Sequence, residues 1–265
     1  MAEIEVLSDL ASELALGAGE VLRKGRSAGH GAISSKSSAV DIVTETDEAS
    51  EDYIVSALRS RRAGDAILGE EGTADVGTSG VRWILDPLDG TVNFTYGIPA
   101  FAVSIAVEVD GVRTVGAVYN PVSEELFTAI RGRGAQLNGV AIHCRSETRP
   151  AMALVGTGFS YVARERQTQA EILVDILPTV RDIRRAGSAA LDLCAVACGR
   201  LDAYYELTVK PWDVAAGALI ASEAGAVVTS LTGEQAEFDV IAGNATLQDN
   251  LRQRVSSAIQ ASPSS

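Results

Sequence analysis

Two aspartates stand three positions apart in WILDPLDGTVNF, residues 83–94, with Pro87 between them and Gly90-Thr91 directly after. Carboxylates this close on one turn repel each other unless a positive charge lies between them, so the stretch predicts a bound cation. Two ligands are too few. Candidates for the others are Glu70-Glu71 after the run AILG, Asp213 behind Trp212 at the start of an Ala-rich helix, and Asp41 and Asp47 in VDIVTETD. An all-oxygen donor set suits Mg²⁺, a hard cation that takes octahedral geometry and keeps some of its waters. Glu70, Asp86, Asp89 and Asp213 could hold two such ions if the fold joins them, and Pro87 would stiffen the turn so that the Leu88 carbonyl becomes a further ligand. Singly, each acid has an ordinary use as a turn, a cap or a solvated corner. Their joint occurrence is what points to a metal.

Gly90-Thr91 extends the chemistry toward phosphate. A helix starting there would offer free N–H groups beside the metals, glycine would let the backbone approach an anion, and Thr91 would place a hydroxyl next to an attacking water. AGSAALDL, residues 186–193, makes a second such start, with Ser188 as cap and Gly187 open to a ligand. Other phosphatase chemistries fit poorly. Only His30 and His143 are present, neither in a motif-like setting, which disfavours a Ser-His-Asp triad or a histidine nucleophile. A cysteine nucleophile at Cys144 needs an arginine six positions on, where Pro150 stands, with Arg149 one short. Haloacid-dehalogenase-type enzymes separate their two aspartates by one residue, whereas two separate Asp86 from Asp89.

The elements that must position these groups are legible as patterns. Ile4, Leu7, Leu10, Ala11, Leu14, Ala18, Val21 and Leu22 recur at helical spacing and predict a helix over 3–24. GRSAGHGAISSKSSA then reads as a polar flap. TDEASEDYIVSALRSRR reads as a second helix with Ala49, Tyr53, Ala57 and Leu58 inward. AILGEE, VRWILD, FAVSIAVEV, RTVGAVYN and EELFTAI follow as strands, expected to form an antiparallel sheet with helices on one face. After about residue 148 strands and helices alternate, which predicts two layered α/β halves, 1–147 and 148–265. The chain has 265 residues, 46% of them hydrophobic, enough for a sizeable core. Its net charge of −13 disfavours direct nucleic-acid or anionic-membrane binding. The acidic start MAEIEVLSDL is unlike a signal peptide, so a cytoplasmic enzyme is expected. Cys144, Cys194 and Cys198 have no metal-site spacing and read as small buried apolar residues.

GEE at 69–71, WILDPLDGTVNF, GSAALDL and PWDVAAG together resemble, in order and approximate spacing, the signature segments of the inositol monophosphatases, within the Mg²⁺-dependent, lithium-sensitive superfamily that includes fructose-1,6-bisphosphatase. The resemblance covers residues 4 to 258 and implies an α/β fold of αβαβα layers, in a homodimer. It implies that Glu70, Asp86 and the Leu88 carbonyl hold a first Mg²⁺ and Asp86, Asp89 and Asp213 a second, with Glu70 touching a weaker third ion through water. It assigns phosphate binding to Gly90 and Thr91, and orientation and deprotonation of the attacking water to Thr91 with Asp47. Contacts to the substrate fall to Gly187, Ser188, Ala189, Glu206 and Asp213, with Lys36 facing the site from the flap. Hydrolysis would proceed in line, with no covalent intermediate.

Val92-Asn93-Phe94, where relatives acting on histidinol phosphate or 3′-phosphoadenosine 5′-phosphate commonly carry lysine after Asp-Gly-Thr, favours myo-inositol 1-phosphate. Lys210-Pro211 before Trp212 departs from the pattern. Some bacterial relatives bind the transcription or ribosome machinery, so a regulatory binding protein is the alternative of another class.

Overall fold

The computed structural model describes residues 2–27, 33–35, 42–231 and 238–261. Helix α1 (Ala2–Ser27) buries Leu7, Leu10, Ala11, Leu14, Ala18 and Leu22 on one stripe, with Glu3 and Glu5 in its first turn and Lys24 and Arg26 in its last, a charge order that suits the helix dipole. Of the expected flap, strand β1 (Ile33–Ser35) is described. It pairs antiparallel with β2 (Ile42–Thr44), which leads into α2 (Glu45–Arg61). The inner face of α2 differs from expectation. Ala49 and Tyr53 are exposed, and Asp47, Ser50, Glu51, Ile54, Val55 and Leu58 are buried. Periodicity favoured the apolar side chains, but this face serves buried polar groups, and Tyr53 instead lies across α1, where a Cβ on Gly17 would meet its ring hydroxyl.

Strands β3 (Ala66–Gly69), β4 (Ala74–Asp75) and β5 (Val81–Asp89) precede the short helix α3 (Thr91–Thr95). Strands β6 (Ala102–Val109), β7 (Val112–Asn120), β8 (Glu125–Ile130), β9 (Ala135–Leu137) and β10 (Val140–Ile142) then complete an eight-stranded sheet in the order β10-β9-β8-β7-β6-β5-β3-β4. It is mixed, since β3 and β5 run parallel, and the β9–β10 hairpin, unforeseen in the strand reading, turns at Asn138-Gly139, both at positive φ as a two-residue hairpin turn requires. In the rest of the chain come β11 (Leu154–Thr157), α4 (Ala163–Ile176), β12 (Asp182–Arg184), α5 (Ala189–Ala197), β13 (Ala203–Leu207), α6 (Pro211–Glu223), β14 (Val227–Thr229), β15 (Asp239–Gly243) and α7 (Ala245–Ala261). Its five strands form a second sheet, β12-β11-β13-β15-β14.

Helices α1 and α2 cover one face of the large sheet. Helices α5 and α6 fill the space between the sheets, and α4 and α7 cover the far face of the small one. The layers are therefore α, β, α, β, α. Coverage of the large sheet on both faces, not one, corrects the sequence expectation. Its physical mark is that β6 is buried at every position from Ala102 to Glu108, where one-sided coverage would leave alternate residues exposed. Among the described residues no helix is long and apolar enough to cross a membrane.

The α6–sheet contact is close enough to need glycine. A Cβ on Gly116 of β7 would stand 2.9 Å from the Ala216 carbonyl oxygen and 3.3 Å from its Cα. Gly116→Ala is expected to push α6 outward and destabilise the protein by roughly 1–3 kcal/mol, read as a fall of several degrees in thermal midpoint. An unchanged midpoint would show that the layer spacing is slack. Because α6 carries Asp213, the same displacement reaches the site.

Candidate active site

Three structural breaks converge where the large sheet meets α5 and α6. The first lies in β5. Residues three apart in a regular strand point to opposite faces, so Asp86 and Asp89 would be separated by the sheet. The ladder slips there: Asp86 pairs with Ser104 and Asp89 with Ala102, so three steps on β5 oppose two on β6. This bulge re-aims the strand and brings both aspartates to one side. The Leu88 N–H donates to Asp86 Oδ1 at 3.0 Å, and Ser50 donates to the Pro87 carbonyl at 2.9 Å, which fixes the bulged turn.

The second break is the end of β3. Glu70 follows Gly69, its N–H bonded to the Leu85 carbonyl at 3.2 Å. Buried Glu51 of α2 holds the next turn, accepting from Glu71 N–H at 2.9 Å, Thr73 N–H at 3.3 Å and the Thr73 hydroxyl at 2.6 Å. The third is the start of α6. Asp213 is the N3 residue and accepts from Lys210 N–H at 2.7 Å, so one carboxylate oxygen caps the helix and the other is left for the site.

Glu70, Asp86 and Asp213 each present an oxygen within 4.8 Å of the others. Burial pushes the carboxyl of Asp86 well above the usual range, and the charges of Glu70, Asp89, Asp213 and Asp47 push it further. Asp213 is raised in the same way by burial, then by Glu70 and Asp89. Asp89 is not in the tight trio. Its Oδ2 accepts from the Ser188 hydroxyl at 2.6 Å and from Ala190 N–H at 2.7 Å, which hold it at about 6 against burial. Ser188 is the N-cap of α5, accepting from Leu191 N–H at 3.2 Å.

Gly90 and Gly187 both have φ 94°, in the left-handed region open to glycine, and a Cβ on Gly90 would lie 3.3 Å from the Gly187 carbonyl oxygen. The two backbones therefore meet. Asn93 locks the junction, its amide donating to the Ala100 and Ala186 carbonyls at 2.6 and 2.8 Å. Thr91, the first residue of α3, donates its hydroxyl to the Leu88 carbonyl at 3.1 Å, with buried Asp47 Oδ2 at 3.5 Å. Glu206 on β13 accepts from the Tyr204 hydroxyl and is raised to about 7, first by burial. Lys36 and Asp41 lie outside the described residues.

The model described as the inositol monophosphatase family matches residues 3–263. The chain belongs to the inositol monophosphatase family. It is 52% identical over 209 residues, 76% of this chain and 72% of the relative, to the inositol-1-monophosphatase SuhB of Mycobacterium tuberculosis strain H37Rv. It is 41% identical over 227 residues, 85% of each chain, to the Nus factor SuhB of Pasteurella multocida. Its fold matches the crystal structure of the extragenic suppressor protein suhB from Bartonella henselae at a TM-score of 0.89 and 36% identity, covering 94% of this chain and 98% of that one.

This inositol monophosphatase family is one of metal-dependent phosphatases, and the donor set here is of the right kind for a hard divalent cation: carboxylate oxygens only, close together and raised by one another. Sequence reasoning missed the part that four groups play around it. Glu51 acts through backbone bonds that no motif advertises, and Asn93, read in the sequence only for substrate choice, instead locks the glycine junction through two backbone carbonyls. Asp192 of α5 is 4% exposed and raised to about 8, first by burial and then by Glu206 and Asp89. Arg185 reaches the site from the segment before α5, and its motif neighbours concealed it. The cysteines are free, with Cys194 buried and Cys144 and Cys198 half-buried.

Proposed function

We propose that this chain hydrolyses a phosphate monoester, most directly myo-inositol 1-phosphate to myo-inositol and phosphate, with Mg²⁺ as its cofactor. The observation that carries the reading is the trio of carboxylate oxygens within 4.8 Å. Glu70, Asp86 and the Leu88 carbonyl would hold one ion and Asp86, Asp89 and Asp213 a second, with Glu70 reaching a third through water. When bound, Mg²⁺ supplies the positive charge that draws an anionic ester into an acidic site and lowers the pKa of an attacking water.

The chain's own groups do the rest. The Thr91 hydroxyl has one proton, so it serves either the Leu88 carbonyl or Asp47 at a time. With the carbonyl engaged elsewhere, that proton turns to Asp47, and the Thr91 oxygen can accept from the attacking water. Glu70 orients the same water. Gly90 and Thr91 N–H groups face the phosphate. Gly187, Ser188, Ala189, Glu206 and Lys36 would contact the substrate. Water oxygen bonds to phosphorus, the bond to the ester oxygen breaks, and the alcohol leaves with that oxygen and a proton. The ligands Glu70, Asp86 and Asp89 lie in 1–147, and Asp213 and Glu206 in 148–265, a division consistent with two halves closing on one site.

Phosphate release from myo-inositol 1-phosphate, histidinol phosphate, 3′-phosphoadenosine 5′-phosphate and fructose 1,6-bisphosphate, with and without Mg²⁺ and Li⁺, tests the reading. Mg²⁺-dependent, Li⁺-inhibited release, fastest on myo-inositol 1-phosphate, is expected; no release from any of the four would end it. A cytoplasmic homodimer is part of the same reading. Glu51→Gln adds a sharper check, because an amide cannot accept from both the Glu71 and Thr73 sides. It is expected to weaken Mg²⁺ binding roughly tenfold to a hundredfold in calorimetry, with activity recovered at high Mg²⁺. Unchanged affinity would free Glu70 from this support.

The Nus factor name of the Pasteurella multocida relative supports a second reading, a regulatory role with the transcription machinery. Retention of purified transcription complexes by Asp213→Asn as well as by wild type would show such a role to be separate from hydrolysis. Retention by neither would remove it.

A further inference from the structure

Tyr204 and Glu206 stand two apart on β13 and so share a face, while Tyr205 between them points the other way. The packing follows this alternation. Tyr204 joins the core between the two sheets, and Tyr205 joins the core under α4 and α7. Tyr204 is fully buried, so its hydroxyl needs a partner inside the protein. It donates to Glu206 Oε2, and among the described residues that is its one hydrogen bond.

Glu206 is held from a second side. Strand β11 runs parallel to β13 with Gly156 opposite Tyr204 and Thr157 opposite Tyr205, which carries Gly158 to the level of Glu206. A Cβ on Gly158 would fall on the Glu206 carboxyl group, meeting both oxygens and the carbon between them. The carboxyl group therefore rests against the bare backbone at Gly158, in space that any larger residue would fill. Gly156 makes room for the ring in the same way: a Cβ there would stand 3.1 Å from Tyr204 Cδ2 and 3.5 Å from Asp192 Oδ1.

Together the two restraints select one atom. The last torsion of a glutamate is broad, so an unrestrained carboxyl group could offer either oxygen in many orientations. Here Oε2 takes the Tyr204 proton, and among the described residues Oε1 accepts no hydrogen bond. Oε1 is thus the oxygen left for a hydroxyl of the substrate. An acceptor already held in place loses no side-chain freedom when the substrate arrives, which favours binding.

We propose that Tyr204 is a positioning residue: with Gly158 it fixes the Glu206 carboxyl group so that Oε1 accepts from a hydroxyl of the leaving alcohol. The inference rests on the phosphatase reading above and adds to it a group that does not itself touch the substrate. The test is KM and kcat of the full chain with Mg²⁺ on myo-inositol 1-phosphate and on p-nitrophenyl phosphate, whose leaving group brings no further hydroxyl to Glu206. The proteins compared are wild type, Tyr204→Phe, Gly158→Ala, Glu206→Ala and the double variant Tyr204→Phe with Glu206→Ala.

Tyr204→Phe should raise KM for myo-inositol 1-phosphate roughly tenfold with kcat little changed, and leave p-nitrophenyl phosphate hydrolysis as it was. Gly158→Ala should act in the same direction by displacing the carboxyl group. In the Glu206→Ala background Tyr204→Phe should add nothing, because the group it holds is gone. Phenylalanine keeps the buried ring, and equal thermal midpoints would verify that the fold stands. A loss that persists in the Glu206→Ala background, or that is equal on both substrates, would make Tyr204 a packing residue only and overturn the proposal, as would an unchanged KM. Hydrolysis of neither substrate by wild type would instead overturn the phosphatase reading itself.

Discussion

Asp86→Asn is expected to lower phosphate release roughly a thousandfold while raising the thermal midpoint of the chelator-treated protein. The two effects have one origin. Asp86 is 1% exposed and faces Glu70, Asp89, Asp213 and Asp47, so its carboxylate is the costliest charge of the site when no cation is present. The amide keeps an oxygen for the Leu88 N–H and removes the charge. Native structure without metal should gain, and the ability to hold a divalent ion should disappear. Wild type should gain about 2.7 kcal/mol from Mg²⁺ at a hundred times its dissociation constant, and the variant nothing. A variant that keeps a tenth of the wild-type rate, or whose midpoint still climbs with Mg²⁺, would dissolve the link between this acid and the metal.

Asp192→Asn is expected to stabilise the protein increasingly as pH rises from about 4 to about 8. Burial, reinforced by Glu206 and Asp89, lifts the folded-state pKa of Asp192 from 3.8 to about 8. Between those values the unfolded chain has released its proton and the native state retains it, so stability falls with rising pH. Below pH 4 both states are protonated and the contribution is intact. Above about 8 both are ionised and the loss levels off. Asparagine cannot titrate. Its advantage over wild type should therefore be absent at pH 4, grow through pH 6 and plateau above 8. Burying an amide offsets part of the gain, leaving roughly 2 kcal/mol at the plateau. Chemical denaturation across that range measures it, and a difference that does not vary with pH would mean that Asp192 is ionised in the native state throughout.

The Asp192 result also bears on why the site tolerates so many acids. Burial raises Glu206 to about 7 and Asp192 to about 8, so near neutrality Asp192 is largely uncharged and Glu206 about half so, while Asp89 is held at about 6 against burial by its bonds from Ser188 and Ala190. Asp86 and Asp213, each raised by burial and then by Glu70, form the side suited to a cation, and Arg185 stands nearer Glu206 and Asp192.

Much of this architecture is local and so was visible in the residue order. The leucine and alanine stripe of α1, the strand runs from Ala66 to Ile130 and the cap at Ser188 depend on neighbours within a few positions. So did the pairing of an apolar strand with Asp-Pro-Leu-Asp-Gly-Thr, which announced a cation and a phosphate and carried the family resemblance. The inner face of α2 was misjudged because burial there is set by what Asp47 and Glu51 must reach and not by the chain's own periodicity. Two-sided coverage of the large sheet was missed for a similar reason, as helices from the far half of the chain supply the second face.

The residue order alone named the kinds of atoms in the site and their places along the chain. Only the folded chain decided that Glu70, Asp86 and Asp213 share one space, that a bulge turns Asp86 and Asp89 to the same side of a strand, and that Arg185 stands at the join of Gly90 and Gly187. The reason is that convergence depends on register and layer spacing, long-range quantities fixed when β5 pairs with β6 and α6 seats on Gly116, and no window of neighbouring residues contains them.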